Sequence, residues 1–243
     1  MTPRKRADIL LVERGLFESR ARAQAAIAAG LVRADGALLR KASDAVAPDA
    51  TLHAEPAHPW VSRGGVKLVA GLDHFGFDPA GSVCLDIGAS TGGFAQVLLA
   101  RGARRVYAVD VGHGQLHPSL HADPRVVSLE RTDIRALDAA LLPQRPRFAA
   151  VDVSFISLKA VLPALERVLD RPAFLTALIK PQFEAGRGAL KKGIVRDPAV
   201  HQAVCDEIAS FATSLGWTML GVIPSPIKGG DGNAEFLLGA RRD

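Results

Sequence analysis

Cysteine is scarce in this chain of 243 residues, which holds only Cys84 and Cys205. Both stand in apolar periodic segments, where each reads as a small buried hydrophobe and not as half of a disulfide or a metal pair. A reducing compartment fits. The seven histidines are scattered without zinc-ligand spacing, and no G-x-S-x-G nucleophile elbow occurs, so no metal is expected. Long apolar runs are missing as well. The run FLTALI, residues 174–179, lies between Pro172 and Lys180, far short of the roughly 20 apolar residues that cross a bilayer. The opening MTPRKRADILLVERGLF is basic, but Glu13 and Arg14 interrupt its apolar part, so neither a secretory leader nor a membrane span is predicted. A soluble, cytoplasmic protein is expected.

What is present is ordinary globular material, 48% hydrophobic and 23% charged, in a length that suits one small and one medium domain. The net charge of +5 and pI near 9.6 favour an anionic partner without requiring one. Residues 7–14 and 19–29 read as two short helices, with Gly15 as a stop and Ser19 as an N-cap. Asp35-Gly36 between short apolar runs then signals a hairpin. Residues 48–61 carry three prolines and little periodicity, as a stiff connector would. The predicted boundaries are 1–57 for a first domain, 58–62 for a linker and 63–243 for a second domain.

The positions Leu10, Leu11, Val12, Gly15, Leu16, Ser19, Arg20, Ala23, Ile27, Gly30, Val32 and Gly36 resemble the signature of the S4 RNA-binding domain, over about residues 4–55. The resemblance implies a small α+β fold and RNA as partner. Arg4, Arg6, Arg20, Arg22 and Lys41 are the candidate phosphate contacts in this part. Seven acidic residues up to residue 55 dilute them, so charge alone reads as a solvated surface, and the motif spacing carries the assignment.

From residue 64 helices and strands alternate. Strands are predicted at 82–86, 105–110, 126–129, 147–152, 173–179, 217–223 and 234–240. Helices are predicted at 65–76, 93–100, 134–142, 157–169 and 197–215. The expected fold is α/β: a doubly wound, mostly parallel seven-stranded sheet of class I, Rossmann-like type. The segment VCLDIGASTGGFAQVLL, residues 83–99, is a strand, a glycine-rich turn and a helix. Its D-x-G-x-x-x-G-G spacing departs from the G-x-G-x-x-G that seats a pyrophosphate. Asp86, Gly88, Ser90, Gly92, Gly93 and Phe94 are the candidate cofactor contacts there. Asp110 and Asp133, at the ends of the next two strands, would hold ribose hydroxyls and an adenine amino group. With the glycine turn, these acids match the class I methyltransferase pattern and point to S-adenosylmethionine. Valine at Gly88 or Gly92 is expected to abolish binding and leave the fold intact.

Four further residues, Lys67, Asp152, Lys180 and Glu235, are candidate catalytic groups, and Asp152 and Lys180 each end an apolar strand. Their order resembles the tetrad of FtsJ-like ribose 2′-O-methyltransferases. The strings DVSFISL and KPQFE resemble more narrowly the TlyA family of rRNA methyltransferases, some of which carry a hemolysin label. This resemblance implies 2′-O-methylation of cytidine in ribosomal RNA, 16S, 23S or both, on ribosomes or their subunits. Lys180 is the candidate for handling the hydroxyl proton. Repulsion from Lys67 would lower its pKa, and Asp152 and Glu235 would raise it. Arg187, Lys191, Lys192 and Arg196 lie in a glycine-rich basic loop, 186–196, expected to be a flexible segment that closes over RNA phosphate. The alternatives are a membrane-active cytolysin, an RNA-binding protein with a non-catalytic methyltransferase fold, and an NAD-dependent oxidoreductase. The first would need a membrane segment or a strongly amphipathic basic helix, and the second a degenerate site.

Overall fold

A computed structural model describes residues 3–229 and 231–243. The chain divides into two compact units, Met1–Pro59 and Trp60–Asp243.

The first unit contains β1 (Lys5–Arg6), α1 (Ala7–Glu13), α2 (Arg20–Ala28), β2 (Val32–Ala34), β3 (Ala37–Leu38), β4 (Ala45–Val46) and β5 (Leu52–Ala54). Ser19 is extended and its side chain accepts the Arg22 N–H, which starts α2. Leu10 and Leu11 of α1 meet Ala23 and Ile27 of α2 over Val32 and Val46. Asp35 and Gly36, at φ 49° and 78°, make the tight turn that sets Arg33 opposite Leu38. Two successive left-handed residues suit Asp-Gly because their backbone twist matches that of the strands they join.

The second unit runs α3 (Gly64–Phe75), β6 (Val83–Ile87), α4 (Gly93–Ala100), β7 (Arg105–Val109), α5 (Pro118–His121), β8 (Val126–Leu129), β9 (Phe148–Val151), α6 (Leu158–Val168), β10 (Ala173–Ile179), α7 (Pro181–Glu184), α8 (Pro198–Ser214), β11 (Thr218–Pro224) and β12 (Phe236–Arg242). The seven strands form one sheet in the order β11-β12-β10-β9-β6-β7-β8. Six run in one direction, and β12 alone runs antiparallel, between β10 and β11. The expected doubly wound sheet is therefore observed.

Strand alternation divides the core into two layers. Val83, Leu85 and Ile87 of β6 face α6 and α8, whereas Cys84 faces α3 and α4. Both faces of the central strands are covered, which is why they read as continuous apolar runs. Cys84 and Cys205 are free thiols, buried in opposite layers. Burial pushes them up to about 12 and about 11.

One predicted element is different. Residues 134–142 form two 3-10 turns, Ile134–Ala136 and Ala139–Leu141, instead of a helix. Asp133 and Asp138 each accept the N–H two residues on, so the segment starts twice within a few residues, and Pro143 follows. Local side-chain bonds have replaced helical ones.

Candidate active site

The glycine turn after β6 is shaped by backbone contacts. Gly88 has φ 83°, and a Cβ there would lie 2.3 Å from the Asp152 carbonyl oxygen. Its N–H and that of Ala89 both donate to Val109 O. Ser90, at φ 47°, donates its N–H to Asp110 Oδ2 at 2.7 Å, and Gly112 donates to Oδ1 at 2.7 Å. Asp110 thus pins the turn to the loop after β7, and both of its oxygens keep free lone pairs for a ligand. Gly93 and Phe94 open α4 on the wall of the same crevice.

Two residues assigned to the cofactor from sequence also make contacts within the protein. Asp86 is fully buried and accepts the Ala95 N–H at 2.8 Å, so it holds the start of α4. Burial, reinforced by the charges of Asp152 and Asp110, raises its carboxyl to about 8 against the opposing Ala95 bond. At Gly92, φ 92°, a Cβ would strike Leu120 and Leu116. Its freedom serves packing. Valine at Gly88 or Gly92 would therefore disturb the fold as well as a ligand, contrary to expectation.

Beyond the turn lies a cavity of about 600 Å³, within the usual range for small-molecule sites. Ile87, Val109, Val111, Ile134 and Val161 give it apolar walls, and Ser90, Asp110, Gln115, Thr132 and Asp133 supply polar groups. The Asp133 carboxylate is already tied to the Arg135 guanidinium through both oxygens, which holds it well below the usual carboxylate range. Arg135 is the cation in this wall, and it is engaged by Asp133. The donor set therefore suits a neutral or cationic ligand with an apolar ring and hydroxyls, and offers little to a pyrophosphate.

A second cavity of about 210 Å³ shares Gly88, Ser90, Asp152 and Ser154 with the first and adds Ser62, Thr91 and Lys180. The four candidate catalytic residues form two ion pairs, of which Lys180–Asp152 lines this cavity. Lys180 Nζ lies 2.6 Å from Asp152 Oδ1 and donates to Ser154 Oγ at 2.9 Å. Lys67 Nζ donates to Glu235 Oε2 at 2.6 Å, with the two side chains 9% and 3% exposed. Topology explains the convergence. Asp152 follows β9, Lys180 follows β10, and Glu235 precedes β12, three adjacent strands. Ile179 pairs with Phe236, so Lys180 and Glu235 are one step past the last paired residues. Lys67 reaches this edge because α3 lies close on the sheet at Gly71, whose Cβ would come within 2.9 Å of Thr176 Cγ2.

The candidate RNA contacts are dispersed. In the first unit, Arg6 and Arg20 both bind Asp8, which is inaccessible to solvent and also accepts from Gln24. The bond from Arg6, with Arg20 and Gln24 behind it, outweighs desolvation and holds that carboxyl well below its ordinary range. These two arginines are structural in part, and their two charges share one carboxylate. Arg22 pairs with Glu18 one turn away, Arg4 donates to Ala45 O, and Lys41 is exposed. In the second unit, Lys191, Lys192 and Arg196 are exposed, whereas the Arg187 side chain lies outside the described residues.

Lys191 and Ile194 bond across a turn through Lys192 and Gly193, both left-handed. Asn233, 2% exposed, accepts from Val195 N and donates to Gly193 O.

Several residues of the crevice had no individual signal in the sequence. Ser154 and Phe155 were visible only as letters of DVSFISL, and Gln115 and Thr132 sit in loops without periodicity. Phe155 is 91% exposed, left-handed at φ 65°, and lines the larger cavity. Its exposure could not be read from an apolar letter.

Comparison with known proteins agrees with this architecture. The FtsJ-like methyltransferase model matches residues 60–242 and the S4 domain model residues 5–52. The 16S/23S rRNA (cytidine-2′-O)-methyltransferase TlyA of Mycobacterium tuberculosis is 46% identical over 244 residues, covering 99% of this chain and 91% of the relative. YqxC of Bacillus subtilis is 47% identical, covering 98% and 86%. A solved Streptococcus thermophilus protein of hemolysin designation superposes with a TM-score of 0.79 at 41% identity, covering 100% of this chain and 90% of that one. The chain belongs to the TlyA family, in which an S4 domain precedes an FtsJ-like methyltransferase domain.

Proposed function

We propose that the chain transfers a methyl group from S-adenosylmethionine to the ribose 2′-hydroxyl of cytidine in ribosomal RNA, 16S, 23S or both. The observation that carries this reading is the pair of ion pairs, Lys180–Asp152 and Lys67–Glu235, at the strand ends beside the glycine turn. The names of the relatives supply the acceptor. The cofactor would supply an electrophilic methyl carbon on a sulfonium. Asp110 and Ser90 would hold its ribose end, and the apolar walls its ring.

The chain's own task is then to place a weak nucleophile, whose O–H proton passes to the Lys180–Asp152 pair as the new C–O bond forms and the methyl–sulfur bond breaks. A ribose hydroxyl needs in-line positioning and polarisation of its proton. Lys180 contacts that hydroxyl, while Asp152 and Ser154 fix the direction of the amine. Lys67 and Glu235 brace the next strand end. Phosphate contacts come from Arg4, Arg22, Lys41, Lys191, Lys192 and Arg196, with the free edges of Arg6 and Arg20 contributing. The workplace is the cytoplasm. The hemolysin designation of some relatives gains nothing from the fold, because no helix among the described residues is long and apolar enough to cross a membrane.

The test is transfer of labelled methyl from S-adenosylmethionine by the full chain to ribosomal subunits and to free rRNA, followed by mapping of alkali-resistant linkages. Label at a cytidine ribose is expected. Label on a base, or none on any ribosomal substrate, overturns the reading.

A further inference from the structure

The two groups that hold Lys180, Asp152 and Ser154, belong to the segment after β9, whereas Lys180 opens the turn after β10. The relative placement of these two segments therefore sets the geometry of the Lys180 amine. Glu184 joins them. Its Oε2 accepts the Ser157 hydroxyl at 2.5 Å and its Oε1 accepts the Leu158 N–H at 2.8 Å. Both donors lie on the far side of the DVSFIS segment, and Glu184 is one turn beyond Lys180, whose carbonyl accepts the Phe183 N–H.

A second tie runs beside it, where the rings of Phe155 and Phe183 stand 5.0 Å apart. Phe155 has a left-handed backbone and is 91% exposed, so this ring contact lies at the surface and the Glu184 bonds carry the tie. The segment is thus held at both ends against the KPQFE turn.

We propose that Glu184 is a positioning residue for methyl transfer, clamping the 152–157 segment to the 180–184 turn so that Lys180 stays on Asp152 and Ser154. It touches neither cavity and acts through Lys180. Burial pushes its carboxyl up from the ordinary glutamate range, against the bonds from Leu158 and Ser157. An amide would serve as well, since its oxygen can accept from Leu158 and its NH2 can donate to Ser157 Oγ.

This proposal rests on the methyltransferase reading for its kinetics and on geometry alone for its structural part. The experiment compares E184A, E184Q and S157A in the full chain with the native protein. Single-turnover transfer at saturating rRNA and S-adenosylmethionine should fall at least about 10-fold in E184A, the lower range for a misplaced acid/base group. S157A should fall less, and E184Q should stay within about 3-fold of native, with KM for both substrates nearly constant throughout. Crystal structures of E184A and E184Q read the clamp without any activity. The Lys180–Asp152 pair should be lost in the first and kept in the second. Native kcat in E184A, a defect confined to KM, an E184Q as impaired as E184A, or an intact ion pair in the E184A crystal would each overturn the clamp. A native chain that transfers no methyl group removes the functional reading alone, and the crystal structures still decide the clamp. Should E184A fail to fold, S157A carries the comparison, and its unchanged kcat counts against the proposal.

Discussion

Two buried carboxylates show how far a single residue's role departs from its type. Asp8 is ionised and matched by Arg6, Arg20 and Gln24, whereas Asp86 has one backbone donor and a carboxyl raised to about 8. Arg20→Ala therefore removes a partner from a buried charge and should destabilise the first unit by about 1–3 kcal/mol. Thermal unfolding of the full chain reads this, and a native melting profile with weakened RNA binding would show that Arg20 serves RNA only. For Asp86 the sign is opposite to that of a paired carboxylate. Its folded pKa lies above its unfolded value, so its stabilisation is complete below about pH 4 and is lost as pH rises through about 8. Native stability should fall between pH 6 and pH 8 by up to about 1.4 kcal/mol per unit from this group. Asp86→Asn, which imitates the neutral acid, should remove that slope, and parallel curves for the two proteins contradict the assignment. The sequence showed both acids but not their partners. Asp86 stood beside a glycine turn and read as a ligand contact, and spacing did not show that its carboxylate also receives the Ala95 N–H at the start of the next helix.

Elements were legible where apolar periodicity is long. The strands of the sheet and α3, α4, α6 and α8 stand close to their predicted spans, and the Asp35-Gly36 turn is where the dipeptide placed it. Short polar segments were not legible, because side-chain caps decide them. Residues 134–142 and the Lys191–Ile194 turn owe their form to Asp133, Asp138 and Asn233, the last of these distant in sequence. The convergence of Lys67 with Glu235 was legible in residue type only. It depends on Gly71, which lets α3 approach Thr176 and Leu237. Gly71→Val would insert atoms into that contact, with an expected loss of about 1–3 kcal/mol from overpacking. It should also draw Lys67 away from Glu235, which a crystal structure checks. A stable variant with the 2.6 Å pair intact would mean that α3 is not set by this contact.

At the scale of the whole molecule, the account joins a unit with an RNA-binding signature to one whose strand ends carry a cavity of about 600 Å³ and four charged side chains. Chemistry and RNA affinity should then separate on mutation. Exchanging half-buried Arg22, which is paired with Glu18, and exposed Lys41 for alanine removes two positive charges from the first unit, so apparent affinity for rRNA should drop, more steeply as salt rises, with recovery at saturating RNA. A loss that saturating RNA does not restore would place these residues outside recruitment. The central claim is that Lys180 acts on the hydroxyl proton, and single-turnover transfer by Lys180→Ala at saturating cofactor and ribosomal subunit measures it most directly. The account expects a fall of roughly 100-fold or more, with S-adenosylmethionine and RNA affinities little changed. Near-native transfer by that variant contradicts it and shifts the role toward Lys67.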